Sequence, residues 1–470
     1  MIEVLSVTSE CAPLVKTGGL ADVAGALPKA LEARGVRTRT LLPGYPAVKA
    51  AIGKGRTVMK DDDLFGGSAR VIAAKSAGLD LLVLDAPHLF DREGAPYLGP
   101  DGKDWPDNPE RFAALSWIAA SIAGGAVKGW NPDILHCHDW QAGFGPLYLR
   151  ERQPGAKAST IITIHNVAFQ GLAPARKLKT LRLPASGMQQ DGFEYWGEIS
   201  ALKAALVTAD KITTVSPTYA GELMTAEFGM GLDGVLRLRR DDLLGILNGV
   251  DTESWAPPYK SPAGKVRFKR KLRKTMGLGE AKGPLCVVVS RLTEQKGLDL
   301  LIDALPRLLD EGGQLALLGS GDRTLERAFE QAARKFPGVA VRIGYDETLA
   351  RLLIEGGDAI LVPSRFEPCG LTQLYGLRYG TIPVVAYTGG LADTVIPASP
   401  AGLRAGVATG IQFHPVTADA MSRALDRLCA LYRQPDMWLT IQKNAMRHPV
   451  GWHHSAGEYA ALYESLISSR

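Results

Sequence analysis

Short, continuous apolar runs recur along this chain, each closed by Gly, Pro, Asp or His and followed by a helix-like pattern. In the first half they fall at residues 4–7, 38–42, 134–137, 161–164, 212–215 and 243–247. An apolar run without alternation belongs to a strand covered on both faces. Strands of that kind separated by helices assemble into parallel sheets, so the expected class is α/β, doubly wound.

The rhythm halts at residues 248–278, where Trp255-Ala-Pro-Pro-Tyr-Lys-Ser-Pro-Ala-Gly reads as a linker and residues 265–274 as a basic helical stretch. It restarts at 286–290, 314–318, 339–343, 359–363 and 382–386. Two sheet domains of similar size are expected, with the boundary near residue 250 and the cleft between them as the natural ligand site. The basic stretch has one aromatic residue, Phe268, and reads as a solvated helix face rather than a nucleic-acid patch. Residues 455–467 read as an amphipathic helix.

Composition narrows the function classes only a little. The net charge of +5 is the difference between 54 basic and 49 acidic side chains, too small to call for nucleic acid or a membrane surface. No basic segment followed by an apolar stretch opens the chain, and no run reaches the roughly 18 apolar residues of a membrane helix, so a cytoplasmic enzyme is expected. The five cysteines are scattered without Cys-x-x-Cys spacing and read as free thiols.

The usual nucleotide fingerprints are missing. No Gly-x-Gly-x-x-Gly follows the first strand, and Gly319-Ser-Gly-Asp is only a fragment of one. Helix N-termini and basic side chains remain as the means of holding phosphates, and three segments supply them. In Glu10-Cys-Ala-Pro-Leu-Val-Lys-Thr-Gly-Gly-Leu-Ala-Asp-Val, Lys16 precedes Gly18 and Gly19, which let backbone N–H groups approach a ligand. In Ser290-Arg-Leu-Thr-Glu-Gln-Lys-Gly, Arg291 and Lys296 flank one strand-to-helix loop and together can neutralise a diphosphate. In Pro363-Ser-Arg-Phe-Glu-Pro-Cys-Gly-Leu-Thr-Gln, Glu367 can accept hydrogen bonds from sugar hydroxyls. There Pro368 suggests a helix start that aims the amides of Gly370, Leu371 and Thr372 at a ligand.

Two further strand ends are polar, His136-Cys-His-Asp-Trp-Gln and Thr163-Ile-His-Asn. His136 and His138 share a strand face, so His-x-His-Asp is weighed as a metal site, although no matching downstream ligand cluster accompanies it. Asp61-Asp-Asp reads as a solvated turn. The echo of Thr17-Gly-Gly-Leu-Ala-Asp-Val in Thr388-Gly-Gly-Leu-Ala-Asp-Thr-Val suggests equivalent loops in two related domains.

Taken together, these segments resemble the bacterial glycogen synthases and plant starch synthases over the whole chain. The most specific pieces are Lys16-Thr-Gly-Gly-Leu, His138-Asp-Trp-Gln, Ile164-His-Asn, Ser216-Pro-Thr-Tyr, Asn248-Gly-Val-Asp, Arg291-Leu-Thr-Glu-Gln-Lys-Gly, Pro363-Ser-Arg-Phe-Glu-Pro-Cys-Gly-Leu-Thr-Gln and Thr388-Gly-Gly-Leu. The resemblance implies a GT-B fold of two Rossmann-like domains. Residues 1–250 would take the glucan acceptor and 251–452 the nucleotide sugar, while a helix at 453–470 packs back on the first domain.

It further implies transfer of glucose from ADP-glucose to glycogen or another α-1,4-glucan with retention of configuration, without metal or redox cofactor. By the same resemblance Arg291 and Lys296 bind the diphosphate and Lys16 closes over it. Glu367 holds the donor glucose, His165 and Asp139 line the reaction centre, and Asn248 touches donor or cleft. Tyr345 is the candidate to stack on adenine, with Tyr97 and Trp140 as sugar contacts and Cys369 as a reactive thiol at a helix start. Many retaining relatives carry a second glutamate in the helix after the first, and Tyr375 stands there in this chain. The readings held against this one are a UDP-glucose transferase, a metal-dependent hydrolase built on His136, His138 and Asp139, and a glucan-binding protein without catalysis.

Overall fold

The computed structural model describes residues 1–469. The chain forms two α/β units, one made of residues 1–248 with the segment from Trp452 onward, the other of Gly249–Gly451. Among the described residues the first unit carries a nine-stranded sheet in the order Leu243–Gly245, Lys211–Thr214, Ser159–Ile164, Ile134–His138, Ile2–Val7, Val36–Pro43, Leu79–Asp85, Ala69–Ser76, Arg56–Asp61. The first seven run parallel. Every residue of Ile134–His138 is buried, as a strand sandwiched between helices requires.

Ala69–Ser76 and Arg56–Asp61 extend the sheet antiparallel at one edge. Their burial is partial and mixed along the strand, with polar residues interleaved. One-sided strands lack the continuous apolar run, so the search for such runs passes over them. From the other end of the chain, Trp452, Ala456, Tyr459 and Tyr463 bury themselves with Val4, Val23, Leu27 and Leu31. The helix His453–Ser468 therefore completes the core of the first unit.

The second unit holds a six-stranded, wholly parallel sheet in the order Val339–Ile343, Gln314–Gly319, Leu285–Val289, Ala359–Val362, Ile382–Ala386, Ile411–Phe413. Its two faces are covered by separate apolar clusters, one around Leu301, Leu305 and Leu425 and the other around Leu272, Leu353 and Leu391. The basic stretch is the helix Lys265–Met276, but it is more than the solvated face expected of it. Lys265 and Arg273 are buried, and Lys269 pairs with Asp358 at 2.6 Å.

Lys265 Nζ donates to Thr381 Oγ1 at 2.7 Å, to the carbonyls of Glu355 and Tyr379 at 2.9 and 3.1 Å, and to Tyr259 Oη at 3.0 Å. Burial pushes its pKa down to about 7, so methionine there removes mainly hydrogen bonds. The carbonyls left short of donors make Lys265→Met costly, by about 3 kcal/mol in the stability of this unit. Urea unfolding followed by tryptophan fluorescence checks this, and an unchanged midpoint would show that the carbonyls find other donors.

Candidate active site

In the first unit Ile2–Val7, Ile134–His138 and Ser159–Ile164 are neighbours in the sheet and parallel, so their carboxyl ends open on one edge. Ligands of open α/β sheets gather at such an edge. The first strand leads to Glu10, the second to Asp139 and Trp140, the third to His165 and Asn166.

Glu10 is buried, and it fixes the glycine loop. Its Oε2 accepts the backbone N–H of Thr17 at 2.5 Å and of Gly18 at 3.0 Å, while Oε1 accepts the Tyr97 hydroxyl at 2.6 Å. The Tyr97 hydroxyl also lies 2.7 Å from Ser9 Oγ. Tyr97 thus braces the loop through its oxygen. The helix Gly19–Glu32 follows with Gly18 as N-cap, and Lys16 Nζ rests on Asp22 Oδ1 of its first turn at 2.7 Å, half exposed.

Asp139 has φ +54°, a left-handed backbone uncommon outside glycine. Its buried Oδ1 accepts the backbone N–H of His165 at 2.7 Å and, more weakly, of Asn166 at 3.4 Å. Burial pushes its pKa up to about 7. The two amides pull it down, and the charge of Glu10 adds to the rise. Trp140, half-buried, meets Phe112 edge-on at 5.0 Å.

His138 and His165 share a hydrogen bond, Nδ1 to Nε2 at 3.1 Å, and the other His138 nitrogen lies 3.2 Å from Ser6 Oγ. His136 spends its nitrogens on Tyr463 Oη at 2.9 Å and Thr163 Oγ1 at 2.6 Å. Burial holds all three pKa values below the usual histidine range, that of His138 at about 4. These are neutral rings packed into a hydroxyl network. Among the described residues no group of three or more His, Cys, Asp or Glu is placed to hold a metal ion. Asn248 is buried, and its Oδ1 has no hydrogen-bond partner among them.

In the second unit the loops after Leu285–Val289 and Ala359–Val362 are stitched together, because those strands are neighbours. Gly297 has φ +63° and lies so close to the Pro363 carbonyl that a Cβ there would stand 2.0 Å from the oxygen. Arg365 N–H donates to the Gln295 carbonyl at 2.9 Å, and Gln295 Nε2 to the Phe366 carbonyl at 3.1 Å. This stitching brings Lys296 Nζ to 2.6 Å from Glu367 Oε2, which also accepts Ser364 Oγ–H at 2.8 Å. Arg291 is exposed on the same loop and makes no ion pair among the described residues. Tyr345, 87% exposed, follows Val339–Ile343 at the same edge of the sheet.

One expectation needs correction. The helix after Glu367 spans Thr372–Tyr379, with Leu371 as N-cap, so it starts four residues beyond Pro368. Cys369 is buried in the intervening loop, ahead of the helix rather than at its first turn. The amides of Thr372 and beyond stand at the helix start instead. Gln373 Nε2 fixes this loop by donating to the carbonyls of Cys369 at 3.0 Å and Gly370 at 2.9 Å. Gly389 and Gly390 of the echoed motif pack on the backbone of Glu367 and Cys369.

Residues 3–238 match the family described as starch synthase catalytic domain, and residues 272–444 match glycosyl transferases group 1. A glycogen synthase of Paracoccus denitrificans is 64% identical over 469 residues, covering 100% of both chains. The chain belongs to the glycogen synthase family. A second glycogen synthase, from Cereibacter sphaeroides, is 56% identical over 99% of this chain and 98% of its own. The catalytic domain of starch synthase IV from Arabidopsis thaliana, solved bound to ADP and acarbose, superposes with a TM-score of 0.88 at 32% identity, covering 99% of each chain. Sucrose-phosphate synthase from Thermosynechococcus elongatus shares the fold alone, with a TM-score of 0.62 at 19% identity over 100% of both chains.

The chain is thus a glycosyltransferase of GT-B fold, and the metal-hydrolase reading falls. As a member of the glycogen synthase family it also shows what its motifs hide. Glu10, Ser364 and Gln373 hold the predicted residues in place although no role was assigned to them from sequence, and His138, weighed there as a metal ligand, instead bonds His165. Only Glu10 left a trace, as a carboxylate just beyond an apolar strand, where burial demands a partner.

Proposed function

We propose that the chain transfers glucose from ADP-glucose to the non-reducing end of an α-1,4-glucan with retention of configuration, in the cytoplasm. The second unit takes the nucleotide sugar and the first the glucan. The observation that carries this reading is the contact of Lys296 with Glu367 at 2.6 Å, beside the uncommitted Arg291. An ammonium has three protons, so one bond to Glu367 leaves two for phosphate oxygens. Glu367 Oε2 is occupied by Lys296 and Ser364, which leaves Oε1 for glucose hydroxyls.

Retention without a carboxylate nucleophile favours front-face substitution. The acceptor hydroxyl attacks the anomeric carbon on the face the diphosphate leaves, and the departing phosphate oxygen takes its proton. The chief catalytic task is then to stabilise charge growing on the diphosphate, which falls in the second unit to Arg291 and Lys296. His165 and Asp139 line the reacting centre, and the unpartnered Oδ1 of Asn248 suits a ligand hydroxyl.

Transfer of labelled glucose into glycogen, from ADP-glucose and separately from UDP-glucose in excess chelator, tests the proposal. Incorporation from ADP-glucose alone supports it. Preference for UDP-glucose would overturn the donor, and no transfer from either would overturn the reaction. Tyr345→Ala is expected to raise KM for ADP-glucose by about tenfold with little change in kcat, since stacking is lost equally in ground and transition states. Initial rates at varied donor check this, and an unchanged KM would remove Tyr345 from the adenine site.

A further inference from the structure

The first unit carries an exposed apolar surface that the reaction just described does not use. Trp196 is 83% exposed, Phe169 55%, Met230 44% and Leu172 42%. They stand together because the Met230 carbonyl accepts both the Tyr195 hydroxyl at 2.7 Å and Gln170 Nε2 at 3.1 Å. Leu172 sits on the strand Leu172–Pro174, which pairs antiparallel with Glu198–Ser200 just beyond Trp196.

Backbone conformation sets this surface apart from scattered exposed side chains. Trp196 has φ +51° and Met230 φ +49°, a region that costs a bulky residue energy. Neither side chain is buried, so packing does not compensate. The Trp196 indole is also held in place. Its ring meets Tyr195 edge-on at 6.3 Å, and a Cβ on Gly231, at φ +78°, would be in ordinary contact with Trp196 Nε1 at 3.4 Å. The fold keeps a large flat ring outward in a strained setting where glycine would fit without strain.

The surface is continuous with the reaction centre. Phe169 N–H donates to the Asn166 carbonyl at 3.2 Å, one residue from His165. Gly171 packs so tightly on Trp140, the neighbour of Asp139, that a Cβ there would stand 2.3 Å from its ring. Arg176 and Lys177 follow Leu172, but the charges within five residues of Trp196 and of Met230, namely Asp191, Glu194, Glu198, Glu227 and Asp233, are all acidic. They disfavour a phosphate-bearing polymer and leave an uncharged one welcome. Aromatic faces beside hydrogen-bonding groups suit the apolar C–H faces of hexose rings.

We infer that this surface, centred on Trp196, is a docking platform for the acceptor α-glucan. It holds a stretch of polymer away from the reacting end and feeds that end toward His165 and Asp139. The inference rests on the transferase reading above, and the test separates the two. Trp196→Gly in the full chain removes the ring while relieving the backbone, so the variant folds. Its retardation by glycogen in native affinity gels is expected to weaken by about tenfold in dissociation constant, with KM for glycogen rising in step. Both kcat and the KM for ADP-glucose measured with maltotriose should stay as in wild type, since so short an acceptor does not reach the platform.

Wild-type retardation of Trp196→Gly by glycogen would overturn the inference. So would a loss of self-association in sedimentation with glycogen affinity intact, which would make the surface a contact between copies. A wild-type protein retarded by glycogen that transfers glucose to no acceptor would overturn the transferase reading and leave the platform standing.

Discussion

Lys296→Ala is expected to lower kcat by roughly a thousandfold while glycogen binding in native affinity gels stays at wild-type strength. The diphosphate is already doubly negative in the bound donor, and a further negative charge grows on its leaving oxygen as the glycosidic bond breaks. A cation fixed beside it therefore stabilises the transition state more than the ground state. Lys296 is so fixed, half-buried on a short helical turn and tied to Glu367 at 2.6 Å. A loss of that size corresponds to about 4 kcal/mol, within what a preorganised donor supplies in a water-excluded site.

The same contact makes a second measurement informative. Removing Lys296 leaves the buried Glu367 carboxylate with Ser364 Oγ as its remaining side-chain donor, so part of the loss passes through the glucose site. Glu367→Gln in the Lys296→Ala background should then cost much less than Glu367→Gln alone, as neighbours in one network do. Turnover within tenfold of wild type in Lys296→Ala would remove the residue from the leaving-group role. Full additivity would mean that the ion pair is incidental to catalysis.

What the sequence made legible divides along physical lines. Most parallel strands are readable because burial on both faces forces an unbroken apolar run, as in Ile134–His138 and Leu285–Val289, although Leu79–Asp85, with Asp80 near its start, and the three-residue Ile411–Phe413 escaped. Arg56–Asp61 and Ala69–Ser76 escaped because strands only partly buried need no such run. The site followed the same logic. Lys16, Arg291, Lys296 and Glu367 lie on loops at strand ends, where polar residues interrupt apolar ones and draw notice.

Residues acting through tertiary contact gave no such signal. The hydroxyl of Tyr97 bonds Glu10, a partner 87 positions away that no local pattern announces. Pro368 fits an early helical position, yet the backbone of Glu367, Pro368 and Cys369 packs on Gly389 and Gly390 and the helix begins only at Thr372. Tyr375, where a second glutamate stands in many relatives, stacks on Trp255 at 3.7 Å between ring centroids, with Arg351 over the Trp255 ring at 4.3 Å. Nothing in local sequence announces a sandwich drawn from three distant segments.

Asp139→Asn is expected to make the first unit more stable and the enzyme less active. Burial pushes the folded pKa of Asp139 up to about 7 from 3.8, so between those values the folded state binds the proton more tightly than the unfolded chain. Stability therefore falls as pH rises from about 4 to about 7 and is level above it. Asparagine carries no charge to bury, and its Oδ1 can still accept the His165 amide. Its advantage over aspartate should be slight near pH 4 and reach roughly 4 kcal/mol at pH 8. Calorimetry of both proteins from pH 5 to pH 8 reads this directly, as a gap in Tm that widens to pH 7 and then holds. A gap constant across the range would mean that the His165 and Asn166 amides keep the carboxylate ionised throughout. If the gap widens while turnover collapses, the left-handed backbone and buried carboxylate of Asp139 are costs of stability that persist because the reaction needs them.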